Sequence, residues 1–121
     1  MYRQQLKYLE SWLQSSNRKP LIIRGARQVG KSTLVELFAQ AQSRSLMNVN
    51  LERYPELANT FAANDPQQII NAIEMLPRMP SDQTSPLLFL DEIQAVPEAI
   101  PALRYFYEDR PDLPLIGAGS L

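Results

Sequence analysis

Three short groups of residues carry side chains suited to phosphate and metal chemistry. They are Gly25-Ala26-Arg27-Gln28-Val29-Gly30-Lys31-Ser32, the pair Asp91-Glu92, and Ser120. The first group fits Gly-x-x-x-x-Gly-Lys-[Ser/Thr], the pattern of a phosphate-binding loop. Two glycines let the backbone turn with its N–H groups inward, and a helix start adds unpaired donors and a positive dipole end. Lys31 supplies a full charge for the β- and γ-phosphates, and Ser32 a hydroxyl for Mg²⁺. By chance the same pattern marks a helix-capping turn. The flanks favour phosphate binding, because Leu21-Ile22-Ile23-Arg24 precedes it as a strand and Leu34, Val35, Leu37, Phe38 and Ala41 follow as a helical stripe.

Leu87-Leu88-Phe89-Leu90 is a continuous apolar run that ends in Asp91-Glu92. Such a run suits a parallel strand covered on both faces. Asp91, at its carboxyl end, can hold the Mg²⁺ shell beside Ser32. Glu92 lies one residue further out and suits a general base on the attacking water. An acidic pair alone would simply cap a strand end; the upstream loop decides for the metal and base roles. Ser120 follows the last strand and is either a sensor of the γ-phosphate or a plain turn residue. Gln94, like Ser120, is a softer candidate than the acidic pair, and Glu52 reads as an exposed loop carboxylate against a role in supporting the water or the metal. Arg27 and Gln28 shape the loop. No Asn-Lys-x-Asp stretch occurs, so a guanine pocket has no candidate and adenine is expected.

The elements that must position these groups follow from periodicity. Tyr2, Leu6, Leu9 and Leu13 form one helical stripe with Trp12 beside it, and Ser15 to Pro20 break it. Four strands are expected at about 21–24, 46–51, 87–91 and 114–117, with a helix from Lys31 fading near Gln42. Tyr54 to Met79 reads as helical, with Asp65 as N-cap, Pro66 at the first position and the stripe Ile69, Ile70, Ile73, Leu76. A last helix is expected from Pro97, with Ile100, Leu103 and Phe106 or Tyr107 facing inward. Strands alternating with helices indicate a parallel α/β sheet.

The chain has 121 residues, enough for one domain over 1–121. Its 12 Lys and Arg against 13 Asp and Glu give a net charge of −1, which offers no overall electrostatic grip on nucleic acid. With no cysteine and no histidine, disulfides, thiolate or imidazole metal sites, and Cys–His or Ser–His catalysis are excluded. The first residues lack a signal-peptide core and no run approaches a membrane span, so a cytoplasmic protein is expected.

The motifs Gly25-Ala26-Arg27-Gln28-Val29-Gly30-Lys31-Ser32, Asn50-Leu51-Glu52, Phe89-Leu90-Asp91-Glu92-Ile93-Gln94 and Gly119-Ser120 resemble those of AAA-type ATPases. More narrowly, they are similar to a prokaryotic group with Arg-Gln-Val-Gly-Lys in the loop and Asp-Glu-Ile-Gln in the second motif. The resemblance covers nearly the whole chain. It implies that Gly25, Val29, Gly30, Lys31, Ser32 and Thr33 bind ATP, that Asp91 takes Mg²⁺ and Glu92 the water, and that Ser120 stands at the sensor position. Ala118 departs from the pattern, where relatives often have Thr. The group continues further, with a fifth strand beside the loop strand, a lid and often a nuclease-like domain; this chain is therefore expected to be a truncated core whose loop strand lies at an edge.

The expected fold is a three-layer α/β/α P-loop NTPase core with a mainly parallel sheet of about four strands. The expected function is Mg-dependent ATP binding, with hydrolysis in the longer protein. ATP and ADP are the expected ligands, and a homo-oligomer is compatible with the class. Arg104 and Arg110 are candidate arginine fingers in trans, against the simpler reading of solvated side chains. The rival readings are a nucleotide-bound switch with negligible turnover, the motor of a DNA-acting protein, and a small-molecule kinase, the last disfavoured by the second carboxylate of Asp91-Glu92.

Overall fold

The computed structural model describes residues 2–25, 30–80 and 84–120. Helix α1 (Arg3–Leu13) leads into strand β1 (Leu21–Arg24), and α2 (Lys31–Ala41) into β2 (Ser45–Asn50). Short helices α3 (Ala58–Ala62) and α4 (Pro66–Glu74) precede β3 (Pro86–Asp91), and α5 (Ala99–Asp109) precedes β4 (Leu115–Gly119). All strand pairs are parallel and the order across the sheet is β1-β4-β3-β2. The four expected strands are present, each within about two residues of its expected bounds.

Alternation along the strands divides the core in two, because successive side chains leave opposite faces of a pleated strand. Met47, Val49, Leu88, Leu90 and Leu115 face α3, α4 and α5, where Phe61, Ile69, Ile73 and Phe106 are buried. Leu87, Phe89, Ile116 and Ala118 face the other way, onto Leu9 and Leu13 of α1 and Leu34, Val35 and Phe38 of α2. β3 is apolar without interruption because both of its faces are covered. The result is helix, sheet and helix in three layers, as the sequence indicated.

Two expectations are corrected. The 54–79 stretch is broken into a single turn at Pro55–Leu57, then α3 and α4. Pro55 and Pro66 each fit only the first turn of a helix, and Asn64 takes a positive φ of 56° between α3 and α4. Asp65 caps α4 as expected, its side chain accepting from the Gln67 N–H at 3.1 Å. On α5 the inward residues are Ala99, Ala102 and Phe106, whereas Ile100 is exposed. The helix begins just after Pro97, as expected, but its inward stripe runs i, i+3, i+7 from Ala99, and Ile100, one position on, lies about 100° round the helix from it.

The join between α1 and β1 is held by Arg18. Its guanidinium donates to the Leu13 carbonyl at 2.9 Å and to the Pro111 and Asp112 carbonyls at 2.9 and 3.1 Å. Burial pushes its pKa below the ordinary value, the nearby charge of Arg44 adds to that, and Asp112 opposes it. Arg18 also lies over the Trp12 ring, 5.9 Å from its centroid, within cation–π range. No described helix is long and apolar enough to cross a membrane.

Candidate functional site

Parallel strands bring their carboxyl ends to one edge, and the register fixes which residues meet there. Arg24 pairs with Gly119, and Asn50 with Asp91. β4 lies between β1 and β3, so its end separates the strand ends that carry Arg24 and Asp91. α2 begins immediately beyond, with Gly30 as its N-cap in the left-handed conformation at φ 73° and ψ 34°. Gly30 is doubly constrained: a Cβ there would be strained and would also fall 2.6 Å from the Tyr2 hydroxyl. The Tyr2 hydroxyl thereby lies against Gly30, a contact that no motif in the sequence signals.

Ser32, in the first turn of α2, donates its Oγ hydrogen to Asp91 Oδ2 at 2.6 Å. The other oxygen, Oδ1, accepts from the Glu92 N–H at 2.9 Å. Lys31 is buried, only 8% exposed, and its Nζ donates to the Gly25 carbonyl at 3.1 Å. The ammonium thus reaches from the start of α2 back to the residue that follows β1. Thr33, next in the helix, is exposed. Val29, together with Ala26, Arg27 and Gln28, lies outside the described residues.

Glu92 takes the left-handed conformation, φ 53° and ψ 49°. For a residue with a Cβ this costs on the order of 1 kcal/mol, and its effect here is to turn the chain sharply off β3. The turn Ile93–Ala95 follows, anchored by the fully buried Ile93. Within it Gln94 Nε2 donates to Glu92 Oε1 at 2.7 Å and reaches Ser120 Oγ at 3.5 Å. Ser120 is exposed at the end of β4. The structure thus gathers Gly25, Gly30, Lys31, Ser32, Asp91, Glu92 and Ser120 at one sheet edge. Glu52 is exposed, on the turn that follows β2.

Arg104 and Arg110 are engaged with neighbours of their own. Arg104 Nε pairs with Glu108 at 3.0 Å, and that hydrogen bond raises its pKa. Arg110 pairs with Asp112 through two contacts of 3.0 Å, which raises the arginine's pKa and lowers the carboxyl's.

The donor set fits Mg²⁺. One carboxylate and one hydroxyl are brought together, both hard oxygen donors, and no group of three or more acidic, His or Cys residues occurs among the described residues. Mg²⁺ is commonly held by one or two carboxylates plus water and substrate phosphate, without an all-protein cage. A site more crowded with carboxylates would suit Ca²⁺ instead.

Among solved structures, that of AMPPCP-bound DnaA from Aquifex aeolicus is similar to this chain. The TM-score is 0.53 at 15% identity, a likeness of fold. The match covers 99% of this chain but only 38% of that one. No curated protein matches the sequence. A family model described as an AAA domain matches residues 17–121, from the α1–β1 connection through the end of β4, and the chain belongs to that family.

Proposed function

We propose that this AAA domain binds Mg·ATP at the carboxyl edge of its sheet and hydrolyses it with Glu92 as general base. The observation that carries the reading is the 2.6 Å hydrogen bond from Ser32 to Asp91. It joins the residue after the loop lysine to the strand-end carboxylate, and these two ligate the metal in phosphate-loop enzymes. The AMPPCP bound by DnaA supports an adenine nucleotide as ligand, as does the lack of a guanine-specific motif.

The chain's own groups divide the work. The loop N–H groups and the start of α2 hold phosphate oxygens. Lys31 leaves the Gly25 carbonyl for the phosphates, exchanging a neutral acceptor for an anionic one. Ser32 and Asp91 would hold the metal, which when bound neutralises charge on the β- and γ-phosphates. Glu92, one residue beyond Asp91 and turned off the strand, takes the proton of the attacking water. Catalysis is then mostly positioning and charge neutralisation.

Glu92→Gln separates binding from chemistry. The variant is expected to keep Mg·ATP affinity within about twofold and to lose at least about a hundredfold in phosphate release. Hydrolysis by the variant at the parental rate would reduce Glu92 to a strand-end residue. Binding by the parent with negligible phosphate release would favour the switch reading over the enzyme.

A further inference from the structure

Gln94 joins the ends of two strands. Its Nε2 donates to Glu92 Oε1 at 2.7 Å, a short hydrogen bond to a carboxylate, and its longer contact reaches Ser120 Oγ at 3.5 Å. Its Oε1 is buried with no hydrogen-bond partner among the described residues. A buried acceptor without a donor is unfavourable, so the amide orientation needs a cause. The Glu92 carboxylate provides one: turning the amide over would set acceptor against acceptor. The space that Oε1 fills is left by Gly119, where a Cβ would come within 2.6 Å of that atom. The last residue of β4 is thus shaped to admit the amide of Gln94.

We propose that Gln94 is the positioning residue for Glu92. Its amide holds the Glu92 carboxylate and couples it to the end of β4 through Ser120 and Gly119. A shift of Ser120 is passed to the carboxylate through one side chain, so the aim of the base depends on the state of the β4 terminus. The left-handed backbone at Glu92 makes such a tether necessary, because the residue projects from a turn and no helix or strand fixes its side chain. This proposal rests on the hydrolytic reading of Glu92.

Gln94→Met tests it, since methionine keeps length and volume and cannot donate. The expected result is Mg·ATP affinity within about twofold of the parent and kcat lowered at least about tenfold, with no further loss when combined with Glu92→Gln. Gly119→Ala, which pushes on the amide from the β4 side, is expected to lower kcat in the same sense. A readout that needs no turnover is the side-chain amide resonance of Gln94 in ¹⁵N-labelled protein. It should move on Glu92→Ala. Gln94→Met at the parental rate beside an inactive Glu92→Gln, or an amide resonance indifferent to Glu92→Ala, would overturn the proposal. A parent that releases no phosphate, or a Glu92→Gln variant at the parental rate, would instead overturn the hydrolytic reading, and the catalytic role of Gln94 with it.

Discussion

Ser32 and Asp91, 59 positions apart in sequence, meet through a hydrogen bond of 2.6 Å from hydroxyl to carboxylate. One sits in the first turn of α2 and the other at the end of β3, with β4 ending between their strands. A parallel sheet brings its strand ends to one edge, and here the hydroxyl at the start of α2 meets the carboxylate at the end of β3 there. The metal site proposed above needs this proximity.

Asp91→Asn removes the negative charge and keeps the shape. Mg²⁺ is expected to strengthen ATP binding to the parent by at least about tenfold, or ~1.4 kcal/mol, and to do little for the variant. Titration calorimetry with and without Mg²⁺ measures the difference. An undiminished Mg²⁺ effect in Asp91→Asn would remove this residue from the metal site.

Arg18 ties the α1–β1 connection to the end of α1 through one carbonyl and to the segment before β4 through two. Losing these bonds leaves acceptors unpaired, and with partial exposure discounted the cost of Arg18→Ala is about 1–3 kcal/mol. That corresponds to a fall in Tm of roughly 5–15 °C by calorimetry. Arg18→Lys should recover little of it, because an ammonium is a point charge and cannot span the three acceptors with a planar fork. A Tm equal to the parent's for Arg18→Ala would show that the chain closes without this clamp.

β1 is paired only with β4 among the described residues. Beside it lies a groove of about 400 Å³ lined by Gln4, Gln5, Tyr8 and Leu9 of α1, by Leu21, Ile22 and Ile23 of β1, and by Leu34. α1 packs on the sheet face through Leu9 and Leu13 and borders this edge without a strand to pair it. An apolar edge without proline or bulge is a template for pairing with another chain. The 121-residue chain is expected to self-associate at micromolar concentrations, and Tyr8→Lys, which puts a charge at a position 62% exposed beside the groove, to reduce this. Light scattering that returns a 13.8 kDa monomer at tens of micromolar would contradict it.

Much of this architecture was legible in the sequence, where strong local signals coincide. The β-branched run before Gly25, the apolar stripe after Ser32 and the uninterrupted Leu87–Leu90 run each dictate one element, and tertiary packing agrees with all three. Less legible were features that depend on backbone conformation or on partners distant in sequence. Nothing in the letters Asp-Glu-Ile-Gln shows that Glu92 takes a left-handed turn, or that Gln94 then folds back onto it. The Tyr2 hydroxyl behind Gly30 and the carbonyls under Arg18 are contacts of packing, with no periodicity to announce them. Residues 54–79 misled because helical spacing persists through a single turn and two short helices, while Pro55 and Pro66 decide where two of the three begin.

The central claim is a phosphate site built around Lys31, and calorimetric titration of Mg·ATP into the parent chain and into Lys31→Ala tests it most directly. The side chain is buried against the Gly25 carbonyl, in place to exchange that contact for phosphate oxygen. The expected result is saturable binding to the parent and an affinity lower by at least about tenfold, or ~1.4 kcal/mol, in the variant. Equal affinity for parent and variant, or no binding to a folded parent, would contradict the account.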